Sequence, residues 1–193
     1  MSYRIVTDNC CDFPTAMYEE LDLAVVPLVV RFENKEVSQY SEKWLKKMYA
    51  GMREGEVATT SAVNPQGWEA AIESVLAEGK DALVLTFSSG LSTTYQSAVI
   101  AATELAEKYP DRKIRVIDTL CASLGQGLLV WYACKKRDEG MGFEELADWV
   151  ESHKLNLCHW FTVDDLMFLK RGGRVSAATA LVGTMLQIKP VLH

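Results

Sequence analysis

Short apolar runs alternate with segments of helical spacing along most of the chain. The runs "YRIVTD", "DALVLTF" and "KIRVIDT" are rich in apolar residues and too short for helices, as is typical of buried strands. The last two are each followed by a helix-like segment, and two such units in a row predict parallel strands with right-handed crossovers. The pattern therefore predicts an α/β fold: an open, mostly parallel, Rossmann-like sheet with helices on both faces.

Three other segments carry clear local signals. In "NPQGWEAAIESVLAEG", Asn64 is expected to cap a helix whose buried face consists of Trp68, Ile72 and Leu76. In "DFPTAMYEEL", Asp12 is expected to cap another helix. "LAVVPLVVRFE" predicts one long strand that Pro27 interrupts, which places it at a sheet edge or a bulge.

The C-terminal residues predict the start of a second lobe. "NLCHWFTVDD" predicts a strand, "DDLMFLKRGG" a short helix, "SAATALVGTML" another helix and "IKPVLH" a last strand. We assign residues 1–155 to a first α/β lobe and residues 156–193 to an incomplete second lobe. Since an apolar strand is an unusual place for a free terminus, we expect the chain to be a truncation of a longer protein.

Composition and charge narrow the class of protein. The 193 residues carry a net charge of −6 without blocks of like charge, which disfavours a nucleic-acid partner. The opening "MSYRIVTD" does not resemble a signal peptide, and the most apolar stretch is too short to span a bilayer. Five cysteines without metal-site spacing are expected to be reduced thiols. We therefore expect a cytoplasmic protein without a bound metal or stable membrane insertion.

Polar residues gather at three places where strands are expected to end. These are "SSGLS" (residues 88–92), "TTS" (residues 59–61) and "DTLCAS" (residues 118–123). The carboxyl ends of parallel strands form the ligand crevice of such sheets, and hydroxyl and free N–H groups at a helix start can surround an anion. For any single cluster, helix capping is an equally good explanation. Three clusters expected at one edge favour an anion site.

Signatures of catalysis are missing from the sequence. There is no nucleotide-binding glycine motif, no nucleophile elbow and no metal-ligand spacing, so no catalytic residue is assigned. An enzyme acting on a small phosphorylated or carboxylated metabolite at the same sheet edge stays open as the alternative. The stretch Lys170–Arg174, "KRGGR", is either a glycine-terminated helix end or a basic turn aimed at a phosphate or an acidic partner.

Taken together, the motifs resemble a known family. "IVTDN", "DFP", "VVPL", "TTS", "SSGLSTTYQSA", "VIDT", "SLGQGLLV", "LKRGGRVSAATALVG" and "IKPVLH" occur in the order typical of the DegV family of bacterial fatty-acid-binding proteins. The resemblance implies a two-lobed lipid-binding protein without a cofactor, which encloses a long-chain fatty acid between its lobes. It also implies that the protein presents the fatty acid to a fatty acid kinase, which makes acyl phosphate for phospholipid synthesis.

The resemblance also assigns roles to individual residues. The carboxylate-binding positions of the family correspond to Thr60 and Ser92, and Ser61, Ser89 and Gly90 would complete the polar end, partly through backbone N–H groups. Two arginines of the basic turn would lie near the head group or contact the kinase: Arg171 and Arg174. The sequence departs from the family pattern after each carboxylate-binding position. Ala62-Val63 replaces Gln-Pro, and a side chain at Thr93 replaces a glycine.

Overall fold

The structure, a computed structural model, describes residues 2–38, 41–163, 165–176 and 189–192. The chain divides into two compact units, Met1–Leu155 and Asn156–His193. In chain order, the first unit contains β1 (Tyr3–Asp8), α1 (Thr15–Glu20), β2 (Ala24–Val26), β3 (Val29–Phe32), β4 (Lys35–Val37), α2 (Glu42–Arg53), β5 (Thr59–Ser61), α3 (Pro65–Ala77), β6 (Asp81–Thr86), α4 (Thr94–Lys108), β7 (Ile114–Asp118), α5 (Leu124–Asp138) and α6 (Phe143–His153). A 3₁₀ turn, Asn9–Cys11, follows β1.

The core of the first unit is a four-stranded parallel sheet in the order β2-β1-β6-β7. Within β6, Ala82 to Thr86 are all buried, because helices cover the sheet on both sides. One face packs against α3 and α4 through a cluster around Val6, Val84 and Trp68. On the opposite side α6 packs against β6 and β7. The predicted α/β class, with a parallel sheet between layers of helices, is confirmed.

A second, antiparallel sheet in the order β4-β3-β5 lies in the same unit. It packs against α2 through Val30, Phe32 and Met48. The prediction of one long strand across Pro27 is wrong, since β2 and β3 belong to different sheets. Proline has no N–H to donate to the ladder, and the N–H of Leu28 donates to Oδ1 of Asn9 at 2.9 Å, so the chain leaves the parallel sheet here.

Helix caps follow the sequence signals at α3 but not at α1. Asn64 caps α3, with its side chain accepting from the N–H of Gly67 at 2.8 Å. The expected capping of α1 by Asp12 is wrong, because Pro14 is the N-cap residue and no side chain caps this helix. Asp12 has left-handed backbone (φ 52°) and ends the 3₁₀ turn instead.

The described residues of the second unit form β8 (Phe161–Thr162), α7 (Leu166–Arg171) and β9 (Val191–Leu192). β8 and β9 pair antiparallel, with Phe161 opposite Leu192. The predicted helix in "SAATALVGTML" falls almost entirely outside the described residues. None of the helices in the described part of the chain has the length and apolar character required to cross a membrane.

Candidate functional site

The strand order places a crevice at the carboxyl ends of β1 and β6. From β1 the chain passes to β2 on one side of the sheet, and it later returns as β6 on the other side. Ligands of open α/β sheets bind at such a switch point, because the loops after the two strands leave in opposite directions. Here the two loops are residues 9–14 and residues 87–93, and we call the latter the serine loop.

The serine loop folds tightly around Ser88. The carbonyl oxygen of Ser88 accepts from the N–H groups of Leu91 at 3.1 Å and Ser92 at 3.2 Å. Its own N–H donates to the carbonyl of Cys121 at 3.1 Å, which ties the loop to the segment after β7. Ser88 is buried, with 8% of its surface exposed. Ser88 is therefore the structural centre of the loop rather than a group that faces a ligand.

Ser92 lies at the start of α4. Its Oγ accepts from the N–H of Thr94 at 3.2 Å and lies 2.8 Å from Oγ1 of Thr94. The residue is half-buried and precedes a helix of 15 residues, whose N-terminus carries partial positive charge. When Oγ1 of Thr94 is the donor to Oγ of Ser92, the Ser92 hydroxyl accepts both bonds and keeps its own O–H to donate. Ser92 can thus support the helix start and donate to an anion at the same time.

Two backbone N–H groups of the serine loop, those of Ser89 and Gly90, donate to acceptors within the chain. The N–H of Ser89 donates to Oδ1 of Asp118 at 3.1 Å, and the N–H of Gly90 donates to Oγ of Ser88 at 3.2 Å. Acceptors within the chain thus engage both N–H groups in this structure, and the prediction that Ser89 and Gly90 complete the polar end rests on the Ser89 hydroxyl and on the close backbone approach that Gly90 allows. The N–H groups that follow Thr94 in the first turn of α4 lack intrahelical acceptors by geometry and remain the backbone donors at this end.

Thr60 and Ser61 lie on β5 of the antiparallel sheet, not at the edge of the parallel sheet where the sequence pattern predicted the "TTS" cluster. Thr60 pairs with Val30 and Ser61 with Val29, and both are exposed. Adjacent residues of a strand point to opposite faces, so the two hydroxyls cannot approach one ligand group from the same face. The β-branched residues of "TTS" favour pairing with β3 over an irregular helix entry.

Packing joins β5 to the helix that follows the serine loop. Val63, two residues after Ser61, is buried in the same cluster as Val26 and Ala98 of α4. Among the described residues, no hydrogen bond connects Thr60 or Ser61 to the serine loop.

Asp8, at the end of β1, is a functional candidate that the sequence reasoning missed. It is completely buried, and its carboxylate accepts from the N–H groups of Phe87 at 2.8 Å and Cys10 at 3.0 Å. The side-chain amide of Gln126 donates to it at 3.1 Å. Burial raises the pKa of Asp8, although these hydrogen bonds act in the opposite direction. The available signal was an acidic residue that directly ends a buried apolar strand.

The segment after β7 closes the other side of the crevice. Asp118 Oδ1 accepts from the N–H groups of Ser89 and Leu120, both at 3.1 Å. Ser123 Oγ donates to Oδ2 of Asp12 at 2.6 Å, which connects the loops after β7 and β1. Left-handed backbone at Leu120 (φ 55°) and Ser123 (φ 51°) is unusual for residues with side chains. Such conformations often cluster at binding sites, where surrounding contacts maintain them.

A groove of about 820 Å³ borders the loop after β1. Its apolar wall includes Phe13, Tyr18 and Leu45, and the two aromatic rings pack edge to face with centroids 5.6 Å apart. Asp12 also lines the groove, so the groove adjoins the crevice.

Arg171 and Arg174 belong to the second unit. Asp165 caps α7 by accepting from the N–H of Met167 at 2.8 Å, and Gly173 (φ 74°) follows the helix end. Both arginines are exposed, and the guanidinium of Arg171 lies 5.1 Å from the ring centre of Phe168. The glycine-terminated helix end predicted as one reading of "KRGGR" is therefore present, with both guanidinium groups accessible to solvent.

Comparison with known proteins identifies the family. The model of the DegV family matches residues 2–193. The chain belongs to the DegV family. A DegV domain-containing protein of Clostridium perfringens is 44% identical over 193 residues, covering 99% of this chain and 66% of the relative. The chain thus spans about two thirds of the length of this curated relative.

Solved structures of DegV proteins share the fold. A DegV family protein from Thermus thermophilus, described by its fatty acid binding, is 35% identical with a TM-score of 0.81, covering 100% of this chain and 67% of that one. The fatty acid kinase B3 protein of Streptococcus pneumoniae, loaded with linoleic acid, has the same fold at 24% identity and a TM-score of 0.79, covering 99% of this chain and 68% of that one. Both of these solved DegV proteins are described by the fatty acids that they bind.

Proposed function

We propose that this DegV chain binds a long-chain fatty acid and presents it to a fatty acid kinase for acyl phosphate formation in phospholipid synthesis. The observation that carries the proposal is the serine loop at the switch point, with the Ser92 hydroxyl at the start of α4 in a chain of this family. Thr60 and Ser92 hold the carboxylate through their hydroxyls, while Ser61 through its backbone, Ser89 through its hydroxyl and Gly90 through close backbone approach complete its surroundings. Arg171 and Arg174 serve the head group or the kinase contact.

The energetics favour a lipid over a small polar anion. Burial of each CH₂ contributes ~0.8 kcal/mol, so fourteen methylenes contribute roughly 11 kcal/mol before ordering costs. A hydrogen bond to a carboxylate contributes ~1.5–3 kcal/mol. The acyl tail therefore determines most of the affinity, and the hydroxyls orient the carboxylate. The apolar groove wall around Phe13 and Tyr18 supports the proposal, since it provides apolar surface beside the crevice.

The first experiment identifies the ligand. The purified chain is denatured and extracted with organic solvent, and the extract is analysed by mass spectrometry. A fatty acid at about one equivalent per chain supports the proposal. If the extract instead contains a sugar phosphate or nucleotide at that ratio and the chain does not bind added oleate, the proposal is refuted in favour of an enzyme acting on a small metabolite.

The second experiment tests the two hydroxyls by titration with oleate. Loss of a charge-assisted hydrogen bond of this strength corresponds to about a tenfold or larger rise in Kd for Thr60→Ala and for Ser92→Ala. Thr59→Ala is the matched control for the strand, because Thr59 points to the opposite face of β5 from Thr60. Thr103→Ala is the control for α4, since Thr103 is exposed and bonds only within its helix in the described contacts. Unchanged affinity in both site variants contradicts the assignment.

The kinase step is tested with oleate-loaded protein, a fatty acid kinase and ATP. Arg171→Ala and Arg174→Ala are expected to slow acyl phosphate formation, while Arg53→Ala, at an exposed position on α2, is the charge-matched control. Equal rates for all three variants and the parent chain would remove the arginines from the proposal.

A further inference from the structure

Two carboxylates flank the serine loop and have no role in the proposed ligand contacts. Asp8 ends β1 and Asp118 ends β7, and these strands lie on either side of β6. Asp8 receives the N–H of Phe87 at 2.8 Å, and Asp118 receives the N–H of Ser89 at 3.1 Å. The two aspartates therefore hold the residues immediately before and after Ser88.

Asp8 is a carboxylate buried in the interior of the first unit. Its relative exposure to solvent is 0%. An isolated buried carboxylate is strongly unfavourable unless hydrogen-bond donors surround it. The carboxylate accepts from the N–H groups of Phe87 and Cys10 and from the Gln126 amide, and the Cys10 side chain also hydrogen-bonds to it. The carboxylate is therefore surrounded by donors from the two loops that it connects and from α5.

The position of Ser92 depends on this arrangement. The Ser88 carbonyl accepts the N–H of Ser92 at 3.2 Å, so the placement of Ser88 sets the placement of Ser92. Ser92 Oγ in turn accepts the N–H of Thr94 at the helix start. Hydrogen bonds from the two aspartates thus hold the neighbours of Ser88 in the chain, and the Ser88 carbonyl in turn holds Ser92, which carries the proposed carboxylate-binding hydroxyl.

We propose that Asp8 and Asp118 are positioning residues, which fix the serine loop from both sides of β6 so that Ser92 is oriented toward the fatty-acid carboxylate. This inference rests on the proposed function.

The hydrogen-bond geometry distinguishes the two positions. Asp118 uses a single oxygen, Oδ1, for the N–H groups of Ser89 and Leu120. An asparagine at 118 can present its carbonyl oxygen there and retain both bonds. Asp8 uses both oxygens, Oδ2 for Phe87 and Oδ1 for Cys10 and Gln126. An asparagine at 8 would direct an NH₂ group toward a donor, so it cannot replace the carboxylate.

The test uses the full chain with [1-¹³C]oleate as the ligand. We expect Asp118→Ala to raise the oleate Kd about tenfold and to shift the bound carboxyl ¹³C resonance, while Asp118→Asn stays close to the parent chain. We expect Asp8→Asn to behave like Asp118→Ala. Asp81→Ala is the matched control, because Asp81 accepts the N–H of Lys113 at 3.0 Å at the opposite end of β6.

A readout without ligand separates this inference from the proposed function. Amide hydrogen exchange of Ser89 and Ser92 is expected to accelerate in Asp118→Ala, but not in Asp118→Asn or Asp81→Ala. Failure of the parent chain to bind oleate, with this exchange pattern intact, refutes the proposed function while the loop-positioning role stands. Unchanged exchange and an unchanged resonance in Asp118→Ala overturn the positioning role, as does an Asp118→Asn chain that behaves like Asp118→Ala. If Asp8→Asn fails to fold, the Asp118 series alone decides.

Discussion

Gly127 offers the sharpest test of how α5 packs beside the site. The residue is buried in the helix, where α5 passes the turn after β1. A Cβ added at this position would lie 2.6 Å from the carbonyl oxygen of Cys11 and 2.9 Å from Cε1 of Phe13. Both distances are far shorter than van der Waals contact, so Gly127→Ala must displace the turn or the helix.

Two opposing effects determine how much Gly127→Ala changes the free energy of unfolding. Alanine is more favourable than glycine inside a helix by ~1 kcal/mol. Overpacking of a well-packed interior costs ~1–3 kcal/mol, and we expect the upper half of this range because one obstacle, the Cys11 carbonyl, is backbone. The free energy of unfolding is therefore expected to fall by about 1–2 kcal/mol.

The assay is urea denaturation followed by circular dichroism, with the parent chain, Gly127→Ala and Ala106→Gly compared under one set of conditions. Ala106 is exposed on α4, so its replacement measures helix propensity alone, with an expected loss of ~1 kcal/mol. A Gly127→Ala chain as stable as the parent chain, or more stable, would refute the close approach of α5 to the turn.

Two further predictions concern the N-cap of α3 and the thiols. Asn64→Ala is expected to lower the free energy of unfolding by ~1 kcal/mol, because the N–H of Gly67 loses its acceptor. Asn64→Asp is expected to retain the cap and the stability of the parent chain. An equal loss of stability in both variants, measured by urea denaturation, would contradict this explanation. Iodoacetamide at pH 8, with peptide mass spectrometry, is expected to modify exposed Cys158 first. Burial raises the pKa of Cys121 to about 11 and that of Cys134 to about 12, so these two thiols should react only when the protein unfolds. Modification of either thiol at the same rate as Cys158 would argue against its burial.

Several parts of the fold could be predicted because their signals are local. The apolar run of β6 and the cap of α3 at Asn64 lie within a few residues of the structure that they specify. The division of "LAVVPLVVRFE" into two strands at Pro27 could not be predicted. The change of sheet depends on Asn9, which accepts the N–H of Leu28 from 19 residues away.

The candidate site was predictable only in outline. The serine loop was visible as a polar turn after an apolar strand, and the family resemblance named Thr60 and Ser92. The engagement of the Ser89 N–H by Asp118 was not visible, since capping and anion binding favour the same residue types.

By itself, the sequence determined the family, the α/β class and the position of the strand–helix units, because apolar periodicity and capping residues act over short stretches of chain. Only the tertiary structure decided that Asp8 bonds to Phe87, 79 residues away, and that Thr60 lies in a second sheet. The physical reason is the same in both cases. A hydrogen-bond partner far along the chain depends on the order of strands in the sheet, and that order results from the packing of the whole unit.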